Sequence, residues 1–455
     1  MNIDVSLLQK YNQPVPRYTS YPTVPHWDAG IDVPNWKELV RQQFQIKNSN
    51  EGISLYIHLP FCESLCTYCG CNKKITTNHS VEDVYLQAVL DEWKLYLELM
   101  PAKPVVKELH LGGGTPTFFS PANLDKLVST ILNDCIIHPA REFSVEGHPN
   151  NTTKEHLETL YNLNFRRISY GVQDNDPTVQ KVINRIQPFE NLVQATTLAR
   201  ATGFNSVNFD LIYGLPFQTL ESIQRTVEQC VTLQPDRIAF YSYAHVPWNS
   251  RGQRLFSEKD LPPADLKLQL YLRGKELFTN NGYHDIGMDH FALPHDDLYL
   301  ASVEGKLHRN FMGYTTQAGG LLIGLGVSSI SDIGIAYAQN EKSLKEYYLA
   351  IDDKALAVHR GYVLTEEDRA FKSYILNIIC RGTTTFAEEH LPLLREYAFP
   401  ELALLREDGL VEFDELGLQL TSKGKNFVRN ICKAFDLHLA RYKHEGSSPM
   451  FSKAI

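Results

Sequence analysis

The sequence predicts an α/β fold: an incomplete (β/α)6 TIM-like barrel with an N-terminal arm and a mainly helical, winged-helix-like C-terminal domain. Three observations predict it. Six short β-rich runs alternate with long amphipathic segments from about residue 53 onward. Six motifs rich in Gly, Cys or polar residues fall at or just after the ends of those runs. Near residue 364 the alternation gives way to successive helical patterns and one hairpin.

In chain order, residues 1–50 form the arm. Its segment PRYTSYPTVPHW cannot be a regular helix because Pro16, Pro22 and Pro25 interrupt it, and it is expected to lie across the barrel mouth. Residues 51–362 form the barrel and its extension. The strand candidates are ISLYIHL, KELHL, EFSVE, RRISYG, VNFDLIYG and RIAFYSY. Between them, segments such as ANLDKLVSTILN and LESIQRTVEQCVTL place apolar residues at three and four spacing, the signature of helices. Repeated β-then-α implies parallel strands, and six units leave a barrel open on one side, with a mouth wide enough for a large substrate. Beyond the barrel, residues 263–281 read as helix, YHDIGMDHFALP and LHRNFMGYTT as irregular segments, and GGLLIGLGVSSIS as a close-packed turn or loop. Residues 363–455 form the last domain, with a hairpin around Gly417. Residues 361–455 hold 12 Lys and Arg against 14 Asp and Glu, so they lack the basic face that DNA binding needs, and a packing or lid role is expected.

Composition narrows the class. A chain of 455 residues, 43% apolar, buries a large core, and a net charge of -9 argues against a general nucleic-acid binder. The N-terminus lacks a basic start followed by an apolar run, and no 18-residue stretch is free of charged or strongly polar residues, so a cytoplasmic protein without membrane contact is expected. Of eight cysteines, four lie between positions 62 and 71. That clustering points to metal binding rather than to disulfides. Cys135, Cys230, Cys380 and Cys432 are scattered singly among apolar residues and read as small buried hydrophobes.

Cys62, Cys66 and Cys69 form a C-x3-C-x2-C loop. Three thiolates on a four-iron four-sulfur cluster leave one iron open to an outside ligand, whereas four protein ligands restrict a cluster to passing electrons. Zinc also accepts clustered Cys, and Cys71 could complete a four-thiolate set. Structural zinc more often draws on two separated pairs, so iron and sulfur is the preferred reading. The other strand-end motifs, GGGTPT, EGHPN, GVQD, DLIYGLP and YAHVP, share the face on which barrel enzymes keep their sites. They read as one site.

The three-Cys loop after a first strand, GGGTP after a second and Glu146 after a third resemble the radical S-adenosylmethionine superfamily. Cys71, PRYTSYPT, GVQD, NRIQ, DLIYGLP, YAHVP, GMDHFA and LHRNF make the chain similar, through nearly its whole length, to the oxygen-independent coproporphyrinogen III oxidase family. The resemblance implies one [4Fe-4S] cluster and two molecules of S-adenosylmethionine. It implies that a 5′-deoxyadenosyl radical takes hydrogen from the β-carbon of a propionate, which then loses carbon dioxide and one electron to leave a vinyl group. Two propionates of coproporphyrinogen III would be converted, giving protoporphyrinogen IX in haem biosynthesis.

Carried onto matching positions, it implies Cys62, Cys66 and Cys69 as cluster ligands. Tyr56, Gly113 and Glu146 would touch the first S-adenosylmethionine, and Tyr68, Gly114, Thr115, Gln173, Arg185, Asp210, Ala244 and Ile330 the second. Cys71, Tyr56 and Glu146 are the expected catalytic set. The GGGTP backbone is expected to leave N–H and C=O groups free for the cofactor's polar end. Two places depart from the family pattern: Gly147-His148-Pro149-Asn150, where an acidic residue and then Pro-Arg are usual, and Asn175, where an aromatic residue is usual. For the substrate's carboxylates, Arg17, Arg309, His290 and His308 are the candidates, with a structural role open for both histidines. Expected partners are a low-potential one-electron donor of flavodoxin or ferredoxin type, on a monomer. The competing readings are a structural zinc protein and a haem-binding or haem-delivery relative, which shares the barrel and the three-Cys loop but does not oxidise the porphyrinogen. The presence of Cys71 and of the PRYTSYP arm favours the enzyme.

Overall fold

The computed structural model describes residues 5–27, 31–248, 250–317, 319–441 and 451; the ends of the expected arm and tail lie outside them. The six strand candidates all form strands: β1 (Ile53–Leu59), β2 (Val105–Gly113), β3 (Ile136–Gly147), β4 (Phe165–Gln173), β5 (Ser206–Tyr213) and β6 (Arg237–Ser242). They lie side by side in that order, every pair parallel. In β1 every residue except Tyr56 is buried, as a strand covered on both faces requires. Burying each large aliphatic side chain there contributes about 1.5–3 kcal/mol. The crossover helices start and stop where local chemistry dictates. Thr153 and Thr219 cap Lys154–Asn162 and Leu220–Thr232 with reciprocal side-chain bonds. Gly203 closes Phe189–Thr202 in the left-handed conformation.

The sheet is larger than six strands. It has twelve, because segments expected to be irregular join both edges. Leu322–Leu325, inside the Gly-rich stretch read as a turn or loop, is a fully buried strand parallel to β1. Gly324 misled that reading, since a Cβ there would sit 2.5 Å from the Ile330 carbonyl oxygen; the glycine marks close strand approach, not a turn. Ile330–Asp332, Ala336–Asn340 and Val358–Val363 continue antiparallel beyond it. On the other edge His290–Ala292 pairs with β6 and then with His284–Gly287. LHRNFMGYTT is likewise ordered, as a hairpin of His308–Asn310 and Gly313–Thr315. Strands of three to six residues are too short to show a clear alternation. The whole is an open, TIM-like partial barrel.

The arm and the tail share a core. Leu7, Tyr18 and Tyr21 pack in one cluster with Phe371, Ile375, Leu402 and Phe435. The Tyr18 hydroxyl donates to Asp436 at 3.1 Å, and the Leu437 N–H donates to the Tyr21 hydroxyl at 3.1 Å. The arm also reaches the strand ends, where Arg17 donates to the Ser242 carbonyl at 3.0 Å. In the tail, Val411–Phe413 and Gly417–Leu420 form the expected hairpin, joined by Thr383–Thr385 into a three-stranded sheet beside the helix Glu366–Arg381. Of the scattered cysteines, Cys230 and Cys432 are buried and Cys135 and Cys380 partly so.

Candidate active site

The cysteine loop leaves β1 through Pro60 and returns by a short parallel pairing of Phe61–Cys62 with Lys74–Ile75, which holds its two feet together. The loop between is tied from outside. The Thr67 N–H donates to the Ile183 carbonyl at 2.9 Å, and the Asn184 amide to the Leu65 carbonyl at 2.8 Å. From the segment after β6, the Gln253 amide donates to the Tyr68 carbonyl at 3.0 Å. These bonds fix the backbone of the loop that carries the cysteines. Cys62, Cys66, Cys69 and Cys71 all line one cavity of about 390 Å³, together with residues from the ends of β2 to β6.

The thiols sit in unequal surroundings. Burial pushes Cys62 up to about 11, although the Thr115 hydroxyl donates to its sulfur at 3.3 Å. Cys69 is drawn down to about 6, first by a hydrogen bond from the Cys71 thiol and then, against burial, by Lys73. Cys71 is raised by the same bond. Lys73, which the sequence reading missed, donates to the Cys69 carbonyl at 2.9 Å.

Behind the cysteines lies a bed of tightly approaching backbone. Gly113 has φ +115°, and a Cβ on it would meet the His58 ring at 2.5 Å; one on Gly114 would meet the Pro60 carbonyl carbon at 2.6 Å. The expectation that these glycines leave their N–H groups free is corrected. Gly113 donates to the Glu146 carboxylate at 3.1 Å, while Gly114 donates to Leu59 at 2.9 Å and Thr115 to Phe61 at 3.0 Å, because the run lies alongside the end of β1 and beside the end of β3. What the glycines supply is proximity.

Glu146 also meets His110 at 3.5 Å. Burial pulls its carboxyl upward, yet His110 and the Gly113 N–H outweigh it and keep Glu146 ionised. Asp210 accepts from Ser169 at 2.8 Å and from Asn208 at 2.9 Å, and burial raises it to about 6. Arg185 donates to the Gly171 carbonyl at 2.6 Å and to the Cys66 sulfur at 3.6 Å, while its buried Nε has no partner among the described residues. A buried guanidinium N–H left over, beside two carboxylates and a Gly cradle, suits an amino-acid-like ligand carrying both a carboxylate and an amine. The donor set fits the expected pair. No three Cys, His, Asp or Glu among the described residues converge on a single ion, whereas three thiols around a wide cavity suit a multinuclear cluster.

Of the other expected residues, Tyr68, Gly113, Gly114, Thr115, Glu146, Gln173, Arg185 and Asp210 line the same cavity. Tyr56, Ala244 and Ile330 do not. Tyr56 lies beneath, its hydroxyl 3.0 Å from His58 and its ring stacked on His110 at 5.9 Å. Ala244 is held through its carbonyl by Gln253, and Ile330 belongs to the added antiparallel strand. Of the two departures, His148 and Asn150 line the cavity, whereas Asn175 lies outside its lining and takes the Thr226 hydroxyl as its backbone partner. His58, His110, Ser169 and Tyr241 were missed. Ser169 and Tyr241 line the cavity, whereas His58 and His110 lie beneath it beside Tyr56.

A partial barrel with a three-cysteine loop after its first strand and a Gly-rich bed after its second defines a radical S-adenosylmethionine protein, and the model of the Radical SAM superfamily matches residues 56–230. The curated oxygen-independent coproporphyrinogen III oxidase of Escherichia coli is 40% identical over 99% of this chain and 98% of its own. That of Synechocystis is 37% identical over 100% and 98%. A solved structure, described as coproporphyrinogen III oxidase (HemN) from Escherichia coli, a radical SAM enzyme, superposes with a TM-score of 0.88 at 38% identity, over 96% of this chain and 99% of that one. The chain belongs to the oxygen-independent coproporphyrinogen III oxidase family.

Proposed function

We propose that the strand-end site carries out the oxidative decarboxylation of two propionate side chains of coproporphyrinogen III to vinyl groups, giving protoporphyrinogen IX. The observation that carries this reading is the convergence of Cys62, Cys66, Cys69, Glu146, Arg185 and Asp210 on one cavity in a chain similar to the named oxidases over its full length. With cluster and S-adenosylmethionine bound, the chemistry supplied is a 5′-deoxyadenosyl radical that removes a hydrogen atom from the propionate β-carbon.

The chain's own residues then have separable tasks. Cys62, Cys66 and Cys69 hold the cluster. Arg185 offers its spare N–H to a methionine carboxylate, Glu146 and Asp210 accept from amino or ribose donors, and the Tyr56–His58–His110 layer fixes the bed from below. Cys71, exposed on the cavity wall beside the three ligands, is placed to give or take a proton there. The wider reading is a monomer of the cytoplasm, with arm 1–50, barrel 51–362 and tail 363–455, reduced by a flavodoxin- or ferredoxin-type donor. No helix of the described residues is long and apolar enough to cross a membrane.

The test is anaerobic incubation with S-adenosylmethionine, a reductant and coproporphyrinogen III, followed by product analysis. Protoporphyrinogen IX is the expected product. Cofactor cleavage without it would assign another substrate.

A further inference from the structure

Beside the cofactor cavity, on the far side of Tyr241, lies a second group of polar side chains that the reaction does not use. Tyr241 lines the cavity. Its ring meets His290 edge-on at 5.8 Å and Arg17 at 5.8 Å. His290 is also edge-on to Tyr314 at 5.2 Å, and the Arg309 guanidinium lies 4.8 Å from the Tyr314 ring. Arg17, His290, Arg309 and the two tyrosines therefore form one cluster, drawn from the arm, β6, the added edge strand and the hairpin that follows.

Charge in this cluster is unbalanced. Arg17 uses Asp289 at 3.4 Å, and the nearby Arg237 uses Asp296 at 2.6 Å. Arg309 is 6% exposed, yet its Nε and Nη1 have no hydrogen-bond partner among the described residues. The buried His290 Nδ1 has none either. Burial, and then the positive charge of Arg309, Arg237 and Arg17, brings His290 down to about 3, so the imidazole is neutral and adds no cation of its own. A buried guanidinium without a counter-charge is costly, and natural sites that keep one supply the anion from a ligand.

We infer that Arg309, supported by His290 and Arg17, anchors a propionate carboxylate of the substrate that is retained rather than decarboxylated. The inference rests on the substrate reading given above. Which propionate it holds follows from charge: the departing group goes from carboxylate to neutral carbon dioxide. A desolvated ion pair on that group would stabilise the ground state and oppose its loss. An anchor on a surviving propionate instead holds equally in ground and transition states and points a different side chain, past Tyr241, at the cofactor cavity. Arg309 is on this account an anchoring residue that sets orientation.

The experiment uses the reconstituted full-length protein. Binding of coproporphyrin III is followed by fluorescence, and turnover of coproporphyrinogen III is measured anaerobically, for the wild type, Arg309→Met and Arg309→Lys. The wild type must bind the tetracarboxylate; failure there overturns the substrate reading and leaves no ligand for the anchor. Arg309→Met is expected to raise Kd and KM roughly 10- to 100-fold, with kcat changed less than about threefold, and Arg309→Lys to recover part of the loss. Cluster absorption and the thermal midpoint report whether each variant folds; should Arg309→Met fail, Arg309→Lys and Arg17→Met carry the same KM-against-kcat test. Wild-type Kd in folded Arg309→Met, or a loss confined to kcat, overturns the inference.

Discussion

Two buried ionisable groups set apart the two sides of this molecule. Glu92, 0% exposed, accepts from the Gly326 N–H at 2.7 Å, the Tyr347 hydroxyl at 2.7 Å and the Asn340 amide at 2.6 Å. It ties the helix Val81–Leu97 to the strands added after Leu322, and its acceptor capacity is taken up inside the protein. Arg309 is nearly as deep but keeps two nitrogens without a hydrogen-bond partner among the described residues. Burial of charge is thus not by itself a mark of function in this fold. Unfilled hydrogen-bonding capacity is the better mark.

The comparison breaks most readily at Glu92. Glu92→Ala strands the Gly326 N–H and the Tyr347 hydroxyl, while the Asn340 amide keeps the Gly326 carbonyl and the Ser329 hydroxyl; it is expected to cost about 3–5 kcal/mol in denaturant unfolding, with turnover per folded molecule unchanged. A loss of turnover at full stability would move Glu92 to the functional side. Deleting residues 1–25 removes Leu7, Tyr18 and Tyr21 from the tail's core and Arg17 from the strand ends. It is expected to destabilise by roughly 3 kcal/mol or more and to weaken porphyrinogen conversion, with cluster assembly preserved. Unaltered conversion would confine the arm to packing.

At the open side, Cys71→Ser is expected to keep iron and acid-labile sulfide while turnover falls on the order of 10²-fold. Loss of iron from that variant would make Cys71 a ligand. The smallest effect is a slope. Burial raises Glu92 from 4.5 to about 7, so the folded state holds a proton that the unfolded chain has already released. Its contribution to stability is present below pH 4.5 and declines as pH rises to about 7. Glu92→Gln should flatten unfolding free energy against pH in that window by up to about 1.4 kcal/mol per pH unit, and an unchanged slope would assign the dependence to other carboxyls.

Much of this was legible in the chain. The six parallel strands, the placement of motifs at their ends and the three-Cys spacing follow from local pattern, because periodicity and clustered thiols report on neighbours in sequence. Eight of the expected contacts, from Tyr68 to Asp210, lie on a single cavity. Tertiary structure decided the rest. Leu322–Leu325 reads as a loop until β1 lies beside it, since a glycine that permits close packing looks the same in sequence as one that turns the chain. The glycine N–H groups looked free until Glu146 and the end of β1 claimed them. Whether Glu92 is satisfied and Arg309 is not depends on Asn340, Tyr347, Tyr314 and His290, which stand far from them in the chain or on other elements. The sequence by itself determined which elements form and what chemistry the cysteine loop holds, whereas only the packing of distant segments decided which buried charges are filled and which await a ligand.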